Sequence, residues 1–182
     1  MACDLTKGRK VPCKDVVGGI TKVYFIDFGD LGTVTQTDDE ITDLTGLFDA
    51  FEYDVKGASS LEQTITSSRE NGTTFFEQAL TLSLSKLSKE DNKEIKLMAF
   101  GRPHICVVDY NGNAMLVGLE HGADVTGGTI ATGAAMGDMS GYTLNFTGQE
   151  LKPANFIAGA TAADPFAGMS SATVTIVQGT NS

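Results

Sequence analysis

The clearest pattern in the chain is the alternation over residues 74–87, TFFEQALTLSLSKL. Phe76, Leu80, Leu82 and Leu84 fall on one face, and Glu77, Thr81, Ser83 and Ser85 on the other. A period of two predicts a strand with one face in a core and one in water. Such a strand would run roughly 45 Å at about 3.3 Å per residue. It exceeds the usual length of about 3–10 residues, so it is expected to bend or to project as an arm. The period lengthens over residues 88–100, SKEDNKEIKLMAF, which predicts a helix. Ser88 is the expected N-cap, and Glu90 and Asp91 suit the positive end of the helix dipole. Ile95, Met98 and Ala99 form the apolar stripe, Lys89, Lys93 and Lys96 a solvated face. Gly101 is the expected C-cap, and Pro103 forbids continuation.

Elsewhere the pattern is that of strands. Residues 20–28, ITKVYFIDF, are dense in β-branched and aromatic side chains. Residues 51–66, FEYDVKGASSLEQTIT, read as a strand broken at Gly57. Residues 104–119, HICVVDYNGNAMLVGL, read as a hairpin in which Asn111-Gly112 supplies a two-residue type I′ turn. Residues 142–147 place Tyr142, Leu144 and Phe146 on one face, and a segment with Pro and Ala, 151–168, leads to a last strand at 172–178. Between Asp27 and Asp54 lies an acidic stretch with Asp30, Asp38, Asp39, Glu40, Asp43 and Asp49. Thr37 to Glu40 has capping-box spacing, but Gly46 leaves little room for a helix, so a loop or one short turn is expected. The Gly-rich residues 122–141 are expected to be loop. This amounts to about seven strands and one helix: a mainly β chain, an antiparallel β-sandwich or barrel with one packed helix. Residues 1–18 carry Lys7, Arg9, Lys10 and Lys14 without a clear period and read as an arm; residues 19–182 read as a single β-rich domain.

Composition narrows the function. The 182 residues, 41% apolar and 20% charged, suit one ordinary core. A net charge of −10 makes the chain a poor grip for nucleic acid, whose binding depends on Lys and Arg displacing counterions. Acidity is most simply a matter of solubility; it can also serve a channel that DNA must pass without sticking. No secretory signal or bilayer-spanning run is apparent, so synthesis in the cytoplasm is expected, with Cys3, Cys13 and Cys106 as free thiols. The sequons at Asn71 and Asn145 then carry no meaning.

Three local patterns suggest chemistry. GGTIATGAA, residues 127–135, has the Gly–x4–Gly spacing of a phosphate-binding loop, but Ala134 and Ala135 stand where Lys and Ser or Thr are needed. It is expected to be a small-residue loop that allows close packing. His104, Cys106 and His121 are metal-ligand types. His104 and Cys106 share a strand face, but His121 lies beyond the far end of the hairpin, so core or surface roles are expected. Asp38, Asp39, Glu40 and Asp43 lack the ligand order of a calcium loop. No nucleophile–base motif accompanies the two His residues. The expectation is a non-enzyme with no cofactor and no metal.

Taken in order, the strand ENGTTFFEQALTLSLSKL, the helix SKEDNKEIKLMAF, the hairpin PHICVVDYNGNAMLVG, a Gly-rich loop and SGYTLNFTGQE resemble a tailed-bacteriophage virion protein of the tail-tube type. VYFIDFGDLGTVTQTDDEITDLTG and FEYDVKG resemble the first strands of small phage structural proteins. The resemblance spans roughly residues 20–178 and rests on element order and local phrasing. It implies a structural protein that forms rings, hexameric in that family, through which DNA passes without specific binding. The ring would belong to a tail tube or to a neck or adaptor in the virion. Its partners would be itself and other tail or neck proteins, with no membrane. By this analogy Glu77, Thr81, Ser83 and Ser85 would face the lumen, although strand 51–66 could serve equally. Lys7, Arg9 and Lys10 of the arm, Asp38, Asp39, Glu40 and Asp43 of the 36–49 segment, and the stretch near 57–73 would contact the next ring. A capsid decoration protein is the alternative, and a small enzyme or ligand-binding β domain a third reading.

Overall fold

The computed structural model describes residues 7–11, 13–55 and 57–179. Two strands with unbroken apolar runs, Val23–Ile26 and Ile105–Val108, organise it. β1 (Ile20–Ile26) and β7 (His104–Asp109) pair antiparallel in the middle of the molecule. Val23 and Phe25 of β1, with Ile105 and Val107 of β7, enter one core; Tyr24 and Ile26, with Cys106 and Val108, enter another. Strands buried on both faces have no polar side to show, so their sequence does not alternate.

These strands belong to an eight-stranded sheet. It also contains β2 (Val34–Thr37), β3 (Glu40–Leu44), β4 (Leu47–Asp54), β8 (Ala114–Val117), β11 (Asn155–Ile157) and β12 (Thr173–Gln178). The order is β12-β4-β1-β7-β8-β11-β3-β2, with β12–β4 and β11–β3 parallel and the other pairs antiparallel. β3 and β4 lie near opposite ends of this order, yet only Thr45 and Gly46 separate them in sequence. The sheet must therefore curl, and Ile41, Leu44, Phe48, Ala50, Leu116 and Phe166 fill its concave side. Gly46 marks the joint: a Cβ there would run into the Asp30 carbonyl oxygen.

The second sheet has the order β5-β6-β10-β9: β5 (Ser60–Ser68), β6 (Thr73–Ser85), β10 (Gly141–Glu150) and β9 (Asp124–Ala131), all antiparallel. Its inward row, Leu80, Leu82, Tyr142, Leu144 and Phe146, packs on the convex side of the first sheet. α1 (Lys89–Phe100) closes one end of this core through Ile95 and Met98. The Ser88 hydroxyl accepts from the Asp91 N–H at 2.9 Å, as expected of an N-cap, and the Tyr142 hydroxyl donates to the Ser88 carbonyl.

The mainly β class with one helix and sandwich-like sheets is as expected. The elements differ in number, with twelve strands among the described residues against about seven. The acidic stretch is a hairpin: Asp38 and Asp39 both have positive φ, 54° and 60°, as the centre of a type I′ turn requires. Thr37 to Glu40 is therefore a turn flanked by strands, not a helix start. Residues 51–66 are parts of two strands in different sheets. In the β7–β8 connection only Gly112 of the expected pair has positive φ, 82°. The Asp109 N–H donates to the Asn113 carbonyl and the Gly112 N–H to the Asp109 carbonyl, which encloses a three-residue loop, 110–112, in place of the two-residue turn. Much of the Gly-rich segment is β9, where a Cβ on Gly128 would sit 2.5 Å from the Thr143 carbonyl oxygen. In α1, Ala99 is exposed and leaves the stripe to Ile95 and Met98.

Candidate functional site: the outer face of the four-stranded sheet

β6 runs between β5 and β10, and its parity is as expected. Gln78, Leu80 and Leu82 point into the molecule, while Glu77, Thr81, Ser83 and Ser85 lie on the outer face. The registers extend this face across the sheet. Glu77 lies between Thr64 and Gln149, Thr81 between Ser60 and Asn145, and Ser83 beside Thr143, itself opposite Thr129. Glu62 and Asp124 share the face. The surface is thus built mainly of short neutral hydroxyl and amide groups with a few carboxylates, and Phe75 and Ala79 of β6 are apolar members of it. None of the 13 Lys and Arg residues occurs in these four strands. Of the other candidate stretch, β5 joins this face, but β4 belongs to the curled sheet.

The two edges of this sheet are largely open: among the described residues β5 pairs only with β6, and β9, which pairs only with β10, meets α1 over a short stretch and has an irregular register near Asn145. β5 and β9 are nine and eight residues long. Neither contains Pro or Lys, the usual guards against pairing with another chain. Ile65 on β5 and Ile130 on β9 are exposed there although their parity is inward.

The residues expected at ring contacts fall at several places. Lys7, Arg9 and Lys10 are exposed, outside any helix or strand. The base of the arm is tied down: the Asn111 side chain accepts from the Val17 N–H and donates to its carbonyl. A shallow cleft of about 230 Å3 lies between this base, Ser59–Leu61 and Met115. Asp38 and Asp39 form the tip of the β2–β3 hairpin, with Lys152 3.2 Å from Asp39. Glu40 begins β3 and is exposed. Asp43 is engaged within the chain, where its carboxylate accepts from the N–H and hydroxyl groups of Ser170 and Ser171. The Ser171 hydroxyl and N–H bonds hold the Asp43 pKa down at about 2.

His104, Cys106 and His121 do not converge. His104 is buried; its Nδ1 lies 2.6 Å from the Gly118 carbonyl, and its Nε2 accepts from the Gly29 N–H. That pairing selects the neutral Nδ1–H tautomer, and burial lowers its pKa. Cys106 shares the strand face, but it is sealed in the concave core, where burial pushes its thiol pKa up. Cys3 lies outside the described residues. The phosphate-loop spacing is answered internally: the Ala134 and Ala135 N–H groups donate to the Asp138 carboxylate at 2.9 and 2.7 Å.

A polar junction joins the two sheets near His121. Gln78, 1% exposed, accepts from the Gly118 N–H and donates to the Lys152 carbonyl. Glu150, 4% exposed, accepts from the Glu120 and His121 N–H groups through Oε1, and its Oε2 lies 3.0 Å from His121 Nδ1. Sequence reasoning overlooked Gln78, Glu120 and Glu150. The available signal was parity: Gln78 and Glu150 occupy inward positions of otherwise apolar rows.

No helix among the described residues is long and apolar enough to cross a membrane. Comparison with family models, with curated proteins and with solved structures finds no match to this chain.

Proposed function

We propose that this chain is a structural virion protein, not an enzyme, that assembles into rings forming a phage tail tube or a neck ring, and that DNA passes through the ring. The observation that carries the reading is the four-stranded sheet, with an outer face free of cations and two unguarded edges. A strand edge with free N–H and C=O groups pairs readily with another chain. Joining the β5 edge of one copy to the β9 edge of the next would extend the sheet around a ring. Its outer face would then line the lumen, with Glu77, Thr81, Ser83 and Ser85 along the wall. Phosphates moving past such a wall would meet hydroxyls and carboxylates and no ion-pair partner. The arm base and the start of β5 border one cleft, which brings two of the segments expected at ring contacts together. By the family resemblance the ring would have six copies, and its partners would be further rings and other tail or neck proteins.

The test is negative-stain microscopy of the purified protein with its mass from light scattering. The expected result is rings with a central hole, at a six-fold multiple of 19.1 kDa. Ile65→Lys and Ile130→Lys, which place a guard on each open edge, should each return the protein to monomer. Rings that persist in both variants would exclude edge pairing. A wild-type monomer or trimer that binds capsids would support the decoration reading instead.

A further inference from the structure

We infer that Glu120, His121 and Glu150 form a binding site for one Zn2+ ion. Their ligand atoms all lie within 4.8 Å of one another. His121 Nδ1 and Glu150 Oε2 are 3.0 Å apart. Two ligands of a tetrahedral ion at about 2.0–2.1 Å stand roughly 3.3 Å from each other, so this pair needs only a small opening to share a metal. One imidazole and two carboxylates are ligands that zinc accepts, with water completing the tetrahedron. On binding, the neutral imidazole carries its single proton on Nε2, and the Nδ1 lone pair becomes the ligand.

The surroundings hold the site in shape. Glu150 is buried, and its Oε1 is fixed by the N–H groups of Glu120 and His121, the two other ligand residues. This orients Oε2, as outer hydrogen bonds commonly orient a metal ligand. The turn carrying Glu120 and His121 is itself held by Gln78 and His104 through Gly118. Beside it, a cavity of about 10 Å3 is bordered by Glu120, Glu150, Gln78 and Lys152. The Lys152 ammonium is bonded to Asp39 and to Gln36, so its charge is directed toward the hairpin. The inference rests on this cluster alone and is independent of assembly.

The experiment is calorimetric titration of Zn2+ into the full chain carrying Cys3→Ser and Cys13→Ser, which removes thiols that would bind zinc elsewhere. One saturable site per chain is expected. His121→Ala and Glu120→Gln change exposed side chains and leave the Glu150 backbone bonds in place. Each should weaken binding about tenfold or more, with an unchanged circular dichroism spectrum. Absence of saturable binding at millimolar Zn2+, a stoichiometry below one, or unchanged affinity in both variants would overturn the inference.

Discussion

Gln78→Leu tests whether the polar junction holds the two sheets in place. The side chain is 1% exposed and makes two bonds: its Oε1 accepts from the Gly118 N–H at 2.9 Å, and its Nε2 donates to the Lys152 carbonyl at 3.2 Å. Leucine fits the apolar row of β6 but leaves both backbone groups without a partner. An orphaned buried group costs about 1–3 kcal/mol. Lys152 borders a cavity of about 10 Å3, close to the space one water needs, so hydration can relieve its carbonyl. The Gly118 N–H then sets the net loss at about 2 kcal/mol. With a urea dependence of about 2 kcal/mol per molar, the unfolding midpoint should fall by about 1 M with its slope unchanged. The assay is urea unfolding followed by far-ultraviolet circular dichroism, at a concentration where the chain is monomeric, because assembly would add stability of its own. A midpoint equal to or above that of the wild type would refute the reasoning.

The remaining predictions concern titration, a tether and the assembly. His104 is neutral when folded and its pKa lies below the ordinary 6.5; as pH falls through 6.5 the unfolded chain gains a proton that the folded chain refuses, so stability should decline. Urea midpoints between pH 7.5 and 5 in a His121→Ala background, where His104 is the remaining His of the two, should fall, and the slope should vanish when His104→Gln is added. Asp43→Ala should leave the fold intact but speed amide exchange at Ser170 and Ser171, whose N–H groups it holds; unchanged protection would contradict that role. Glu77→Lys on the proposed lumen wall should spare ring assembly and slow DNA ejection, and a normal rate would remove Glu77 from the lumen. Deleting residues 2–16 should leave single unstacked rings, a result that tube lengths in electron micrographs would check.

The elements most legible in sequence were those governed by local rules. Alternation in β6 and the Ser88 cap of α1 are set by neighbours a few residues away, and both are found where expected. The acidic stretch misled because Thr37 to Glu40 fits a capping box and a hairpin turn alike. Pairing decides between them, since β3 finds β2 on one side and β11, more than a hundred residues later, on the other. Gly127 and Gly128 suggested a loop because a glycine-rich strand has little pattern of its own; β10 supplies its partner and the Thr143 carbonyl explains why Gly128 has no side chain. The polar junction was hidden for a related reason. Gln78 and Glu150 look like ordinary surface residues until strand parity turns them inward, and the turn they satisfy, Gly118 to His121, is far away in sequence.

The placement of charge links the fold to the proposed role more closely than net charge does. A chain at −10 could still present a cationic strip to DNA. Here the cations are confined to other places: the arm, the exposed face of α1, β1 through Lys22, and connections such as Arg69 and Lys86 beyond the ends of β5 and β6. Lys22 is already paired with Glu52 at 3.0 Å. Lys is less favoured in strands than Thr or Val, but on an exposed sheet its long side chain can lie along the surface, and on an edge it blocks pairing. Its absence from β5 and β9 leaves the isolated chain without a common guard against edge pairing. The exclusion is useful if the edges pair with other copies and the face meets a polyanion that must slide. Restoring a cation should therefore have opposite effects by location: Ile65→Lys on an edge should block assembly, while Glu77→Lys at the centre should permit assembly and retard passage. If both substitutions act alike, the edge and the face do not have the separate roles proposed for them.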